Sequence, residues 1–244
     1  GVEVSGGSYA RQQVAGTLTT NNTTANGNNT LHFASVPSWI VPGMSIYDVT
    51  TPGSIGTLTV SSTTATTVVM SGNAGGSGVG NGDTIAFSAF AAASGSAPSS
   101  AVNSSATITL PQATANWGTV VAWGLYDAAS SGNLLEWDYL GNYSWLPCTV
   151  SAASPGVITA HAHGYSNSDS FVFSTEYGGT APTFSAGNYT GIQTVAGVTT
   201  DTFNVTGVNT SATGNGMVRK VLQQSVPINV TASFATGTLT ITAA

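Results

Sequence analysis

Along most of the chain apolar and polar positions alternate with period two, and helical spacing is nearly absent. Ala106-Thr107-Ile108-Thr109-Leu110 sets Ala, Ile and Leu on one face and two threonines on the other, the pattern of a half-buried strand. Asn229 to Phe234 and Thr238 to Thr242 read the same way, and Ala235-Thr236-Gly237 between them reads as a hairpin turn with Gly237 free to take positive φ. Thr119 to Tyr126 is apolar on both faces, which predicts a central strand covered on each side. Leu134 to Leu140 follows the turn Ser130-Ser131-Gly132-Asn133, so these two runs are expected to form a hairpin.

Two stretches differ in texture. Residues 16 to 98 open with a Thr/Asn-rich run and close with the small-residue segment Ala89 to Pro98, which has the composition of a linker. Residues 145 to 222 begin near Pro147 and end near Gly214-Asn215-Gly216. Each stretch holds a glycine-marked lead-in (Pro42-Gly43-Met44 and His163-Gly164-Tyr165), a Ser-aromatic strand and a later Thr-rich strand, Thr63 to Met70 in one and Val198 to Val205 in the other. The expected architecture is therefore all-β. A parent antiparallel β-sandwich, jelly-roll-like, is built from 1–15, 99–144 and 223–244, with two small inserted β-barrel or β-sandwich modules at 16–98 and 145–222.

Charge changes the picture. Only 5% of the 244 residues are charged, against about 25% in ordinary globular domains. Three cations, Arg11, Arg219 and Lys220, face nine carboxylates, which argues against nucleic acid as a partner, because that binding rests on neutralising phosphates. No apolar run approaches the roughly 18 residues of a membrane span, so no membrane role is expected, and 41% hydrophobic content is too apolar for disorder. The start of the chain carries no secretory pattern, and Gly1 in place of Met suggests a trimmed chain. Cys148 stands alone and reads as a small buried hydrophobe.

Outside the two stretches, the blocks Glu3-Val4-Ser5-Gly6, Tyr9-Ala10-Arg11-Gln12, Asn116-Trp117-Gly118-Thr119-Val120, Leu125-Tyr126-Asp127-Ala128, Gly132-Asn133-Leu134-Leu135 and Gly237-Thr238-Leu239-Thr240-Ile241 occur in this order. They resemble a family of tailed-phage tail fibre or minor structural proteins. The resemblance implies a scaffold role on the exterior of the virion, in a tail or head fibre, with no catalytic residues and no cofactor. It implies partnership with other copies, as in the trimers common among such appendage proteins, and with other virion proteins. A capsid decoration or cement protein is the alternative reading of the same blocks, and an adhesin module whose aromatics in the two stretches bind a host-surface glycan is a further alternative.

The chemistry-bearing residues are few. His161 and His163, two apart on an expected strand, would turn both imidazoles to one side as a weak metal candidate, with His32, Asp169 or Glu176 to complete it; the plainer reading is a polar edge before the Gly164 turn. Glu136 and Asp138 share a strand face, the arrangement of paired carboxylates, yet neighbours on one exposed strand are ordinarily a solvated face. Asp127 precedes a turn and is expected to accept a backbone hydrogen bond there. No Gly-x-Ser-x-Gly elbow or phosphate loop occurs, so no enzymatic activity is expected. Trp39, Trp145, Tyr165, Tyr177 and Tyr189 lie in or beside the two stretches, where they either stack on sugars and anchor interfaces or fill small cores. Trp117, Trp123, Leu125, Trp137, Leu239 and Ile241 are expected in the core of the parent.

Overall fold

The computed structural model describes residues 2–91, 100–102 and 106–242. The linker expected at Ala89 to Pro98 lies, beyond Ala91, outside them. The fold is all-β and sandwich-like, in several antiparallel sheets, with no helix among the described residues. The chain divides into two units. One comprises Gly1–Trp117, Ala129–Ser131 and Pro227–Ala244, and the other Gly118–Ala128 and Gly132–Val226.

In the first unit, β1 (Ala15–Thr19), β2 (Thr30–His32), β3 (Ser45–Asp48), β4 (Val60–Thr63), β5 (Thr67–Met70) and β6 (Thr84–Ser88) close a ring. β6 pairs with β1 and β3, and β5 pairs with β2 and β4. The bridges Ser45↔Thr59 and Thr20↔Phe33 join β3 to β4 and β1 to β2. Alternation puts Leu31, Ile46, Val68, Ile85 and Phe87 inside, all nearly without exposure. Phe33 and Trp39 both meet the Phe87 ring edge-on. The Thr-rich segment expected as one strand, Thr63 to Met70, is instead a hairpin between β4 and β5. Thr64 Oγ1 accepts the Thr67 N–H at 3.0 Å, and its own N–H donates to Thr67 O at 2.9 Å, which reverses the chain within four residues.

In chain order β7 (Ser100–Val102), β8 (Ile108–Gln112), β9 (Gly118–Val120), β10 (Ala122–Tyr126) and β11 (Leu134–Tyr139) come next.

In the second unit, β12 (Leu146–Val150), β13 (Val157–Thr159), β14 (Ser170–Ser174), β15 (Thr183–Ala186), β16 (Gln193–Thr194), β17 (Thr202–Asn204), β18 (Asn209–Ala212) and β19 (Gly214–Val221) follow. The sheet order β16-β14-β19-β12-β13-β17 closes through the bridge Ala196↔Asn204, and β15 pairs with β18 as an additional hairpin. β12, β13, β14, β16, β17 and β19 therefore repeat the neighbour order of β1 to β6, and the register repeats with it. Leu31↔Val68 corresponds to Ile158↔Phe203, Leu18↔Ile85 to Leu146↔Val218, and Ser45↔Ser88 to Ser170↔Val221. The Thr199 to Thr202 turn repeats three bonds of the Thr64 to Thr67 turn, the two between the first Thr and the N–H and O of the last and the one between their hydroxyls. Gly43 and Gly164, read as equivalent from sequence, are not. The positive-φ residue that corresponds to Gly43 is Ser168, whose N–H donates to Val195 O as Gly43 N–H donates to Val60 O. The core of this ring is aromatic, with Phe171 and Phe203 edge-on at 5.0 Å and Tyr165, Tyr189 and Val218 around them.

The remaining strands form two-stranded ribbons. β20 (Gln224–Val226) pairs with β9, β21 (Thr231–Phe234) with β8, and β22 (Thr240–Thr242) with β7. The turn at Gly237 is present, with φ 73° and a hydrogen bond from Thr238 N–H to Ala235 O. The strands on its two sides pair with β8 and β7 rather than with each other. β10 and β11 form the expected hairpin, and Asp127 holds its turn by accepting the Asn133 N–H at 2.7 Å. β10 is not a covered central strand, however, because among the described residues β11 is its one paired neighbour and its apolar residues are half-exposed.

Candidate binding surface

Thr149 on β12 pairs with Thr159 on β13 and with Asn215 on β19, so the three side chains make one row across three strands. Their neighbours Cys148, Val150 and Ile158 point into the core, and alternation leaves the row outside. The segment after β14 is laid against this face by glycine. A Cβ on Gly179 would stand 2.5 Å from Asn215 O, and Gly178 takes φ 87°. Thr180 N–H then donates to Asn215 Oδ1 at 2.8 Å, and Asn215 N–H to Thr180 O at 2.8 Å. This clamp holds Tyr177 outward at 64% exposure.

Behind Tyr177 the Trp145 ring lies at 5.7 Å, and the Arg219 guanidinium covers Trp145 at 5.9 Å. Arg219 is buried and is held in turn by Asp138, at 2.6 and 2.9 Å from the two carboxylate oxygens. Asp138 is thus a structural ligand of Arg219 instead of part of a solvated carboxylate pair, while Glu136 stays exposed and accepts its neighbour's Trp137 N–H. Between Tyr177, His161 and the polar row runs an open groove of about 520 Å³, with Met217 along one side.

The two histidines do not converge. They lie in a turn after β13, not on a strand, because Ala162 takes φ 49°. His161 is 92% exposed and pairs with Asp201 at 2.9 Å, whose carboxyl is held below its usual value first by the Ala162 N–H and also by His161. His163 turns inward, where its Nδ1 accepts the Tyr165 N–H at 2.9 Å. Asp169 is occupied by Lys220 at 2.6 Å. Among the described residues no group of three or more His, Cys, Asp and Glu gathers.

The remaining aromatic candidates separate by burial. Tyr165 and Tyr189 are core residues, and burial raises both phenols, that of Tyr189 to about 12. Trp39 is half-buried, packed edge-on against Phe87. Trp117 is half-buried; its Nε1–H donates to Gly7 O at 2.9 Å and its ring meets Tyr9 edge-on. Trp123 and Leu125 are half-exposed on β10, and Leu239 is buried. Ile241 lies on β22, and its side chain is outside the described residues. Trp137, expected in the core, is 49% exposed because a two-stranded ribbon covers one face at most. Cys148 is buried, and desolvation pushes its thiol up to about 12.

Sequence reasoning missed the roles of Arg219 and Lys220. The signal was their rarity: each of the chain's three cations holds a carboxylate, Arg11 with Glu3, Arg219 with Asp138 and Lys220 with Asp169. Arg-Lys in the middle of an apolar strand therefore marked two buried or half-buried partners.

No curated protein and no solved structure matches the chain. Residues 69–144 match a family model described as "Podophage GP4 fiber I protein gp80". The matched segment runs from β5 and β6 through the β10–β11 hairpin, and it contains three of the six blocks that carry the fibre resemblance, those between Asn116 and Leu135. This segment, about a third of the chain, is thus similar to a family of phage fibre structural proteins.

Proposed function

We propose that the chain is a non-enzymatic subunit of an external fibre, assembled as a homotrimer through its ribbon segments and docked to other virion proteins. In this reading the two rings are modules set into a parent sandwich made of 1–15, 99–144 and 223–244. The observation that carries it is the β10–β11 hairpin, which lies inside the family-matched segment and exposes Leu134, Leu135 and Trp137. Isolated two-stranded ribbons are marginal in water, and adjacent exposed apolar side chains of this size ordinarily meet a partner. The low charge of the chain removes the usual electrostatic barrier to contact between identical copies.

Light scattering on the eluting full chain tests the assembly, with three subunit masses expected. Leu135→Asp with Trp137→Asp should yield monomer, and a wild-type chain that stays monomeric at all concentrations overturns the reading. Gold-labelled antibody on intact particles tests the location: label on a projecting fibre supports it, and label on the capsid faces transfers the chain to a decoration role. Polysaccharide hydrolysis by the purified chain would remove the non-enzymatic part.

A further inference from the structure

We infer that the groove beside Tyr177 on the second ring is a subsite for a neutral oligosaccharide. The inference concerns a ligand of a single chain and does not depend on the fibre reading.

Three features meet there. The first is an exposed aromatic platform that is already fixed. Tyr177 is held by the Gly178-Gly179 clamp and by Trp145, which Arg219 and Asp138 support in turn. Its orientation is therefore set before a ligand arrives, and the ordering cost of binding falls accordingly. A tyrosine ring with an apolar face and a polar rim suits the axial C–H face of a pyranose.

The second feature is the polar row Asn215, Thr149 and Thr159. Adjacent strands are about 4.8 Å apart, so the row spans roughly 10 Å, long enough to meet hydroxyls on two linked sugar rings. The Asn215 amide oxygen is taken by Thr180 N–H, which directs its –NH₂ to act as the donor. The threonine hydroxyls both donate and accept, as ring hydroxyls do.

The third feature is charge. No side chain that lines the groove is a lysine, arginine or carboxylate, and His161 at its end already pairs with Asp201. An acidic sugar would find no cation, because both cations of this ring are bound elsewhere, Arg219 to Asp138 and Lys220 to Asp169. At about 520 Å³ the groove is of the size of ordinary small-ligand sites.

The test uses the full chain in saturation-transfer NMR and tyrosine and tryptophan fluorescence titration. Maltotetraose and chitotetraose serve as neutral probes and tetragalacturonate as the acidic control. At least one neutral probe should saturate, and more tightly than the acidic one. Tyr177→Ala should weaken it by about tenfold, whereas Tyr177→Phe, which keeps the ring, should stay within about twofold. Thr149→Val should weaken binding without disturbing the fold, as checked by circular dichroism. Failure of both neutral probes to saturate, equal binding of the acidic probe, or unchanged affinity in Tyr177→Ala overturns the assignment.

Discussion

The two rings close with the same strand order and the same register, yet they place charge differently. In the first, the buried carboxylates serve the loops. Asp48 accepts the Thr51 N–H and the Ser54 hydroxyl, and Asp83 accepts the Gly80 N–H. In the second, Asp169, with Asp138 of the β10–β11 hairpin, holds cations on β19. By register, Ala86 and Phe87 of β6 correspond to Arg219 and Lys220, and Met44 corresponds to Asp169. Two buried apolar positions in one ring are thus an ion pair in the other. What the two rings share are the seams; the identity of the side chains at a given place is free to change if the change is made in pairs.

The largest effect that could separate the rings is in their cores. Phe203 is fully buried against Phe171, His163 and Tyr165, and Phe203→Ala should cost about 4 kcal/mol. Val68 holds the corresponding position with no exposure, and Val68→Ala should cost roughly 2 kcal/mol, since fewer methyl groups are lost. Urea unfolding midpoints measure both. A larger loss at Val68 than at Phe203 would mean that the rings do not share a core position there.

Next comes the Arg219–Asp138 pair, for which the first ring has only Ala86. Asp138→Asn leaves a buried guanidinium without its charge partner and should cost about 2 kcal/mol, below the value for a fully buried pair because Asp138 is partly exposed. Arg219→Met added to that substitution should recover most of the loss. If the double variant is as unstable as the single, the pair is not what holds β11 to β19.

How much of this was legible in the sequence follows from these same residues. Alternation marked the strands at β8, β21 and β22 because period two survives in any half-buried strand, whereas β10 was marked by its apolar run and β11 by the turn before it. Ring closure was not legible. The bridges at Ser45↔Thr59 and Ala196↔Asn204 are single contacts between segments too short to show a period. The glycine lead-ins misaligned the two stretches because glycine itself was the mark compared, whereas Ser168 adopts the corresponding positive φ without glycine. Tyrosine burial was equally hidden, since Tyr165 and Tyr177 belong to one residue type that suits core and surface alike, and only the Gly178-Gly179 clamp distinguishes them.

A third experiment exchanges the ion pair of the second ring for the apolar pair of the first. Asp169→Met with Lys220→Phe should change stability at neutral pH by about 1 kcal/mol in either direction, but it should flatten the acid limb. Burial works to raise the Asp169 carboxyl, and the Lys220 and Ser166 hydrogen bonds overcome it, so the carboxyl lies below its usual value. The folded chain therefore takes up that proton less readily than the unfolded one. The pair's contribution is complete above about pH 4 and disappears as pH falls through the folded value. Melting temperatures at pH 7 and pH 3 should differ less in the exchanged protein than in the original, and an equal difference would remove the pair from the acid response.

The smallest effect bears most directly on whether the rings are equivalent. Thr64 and Thr199 each use Oγ1 to accept an N–H three residues later, at 3.0 Å in both, and each hydroxyl also meets that of Thr67 or Thr202, at 2.7 and 2.8 Å. Threonine to valine keeps the shape and β preference but removes the acceptor. Because both turns are exposed, water can replace the lost bond in part, so each substitution should cost about 0.5 to 1 kcal/mol. The surroundings differ in sequence at every other turn position, Ala65-Thr66 in one and Thr200-Asp201 in the other, where Asp201 also engages His161. If the Thr Oγ1 bond alone reverses the chain, the two costs will agree within experimental error. If Asp201 shares the task, Thr199→Val will cost measurably less than Thr64→Val, and the correspondence will hold for the backbone but not for what stabilises it.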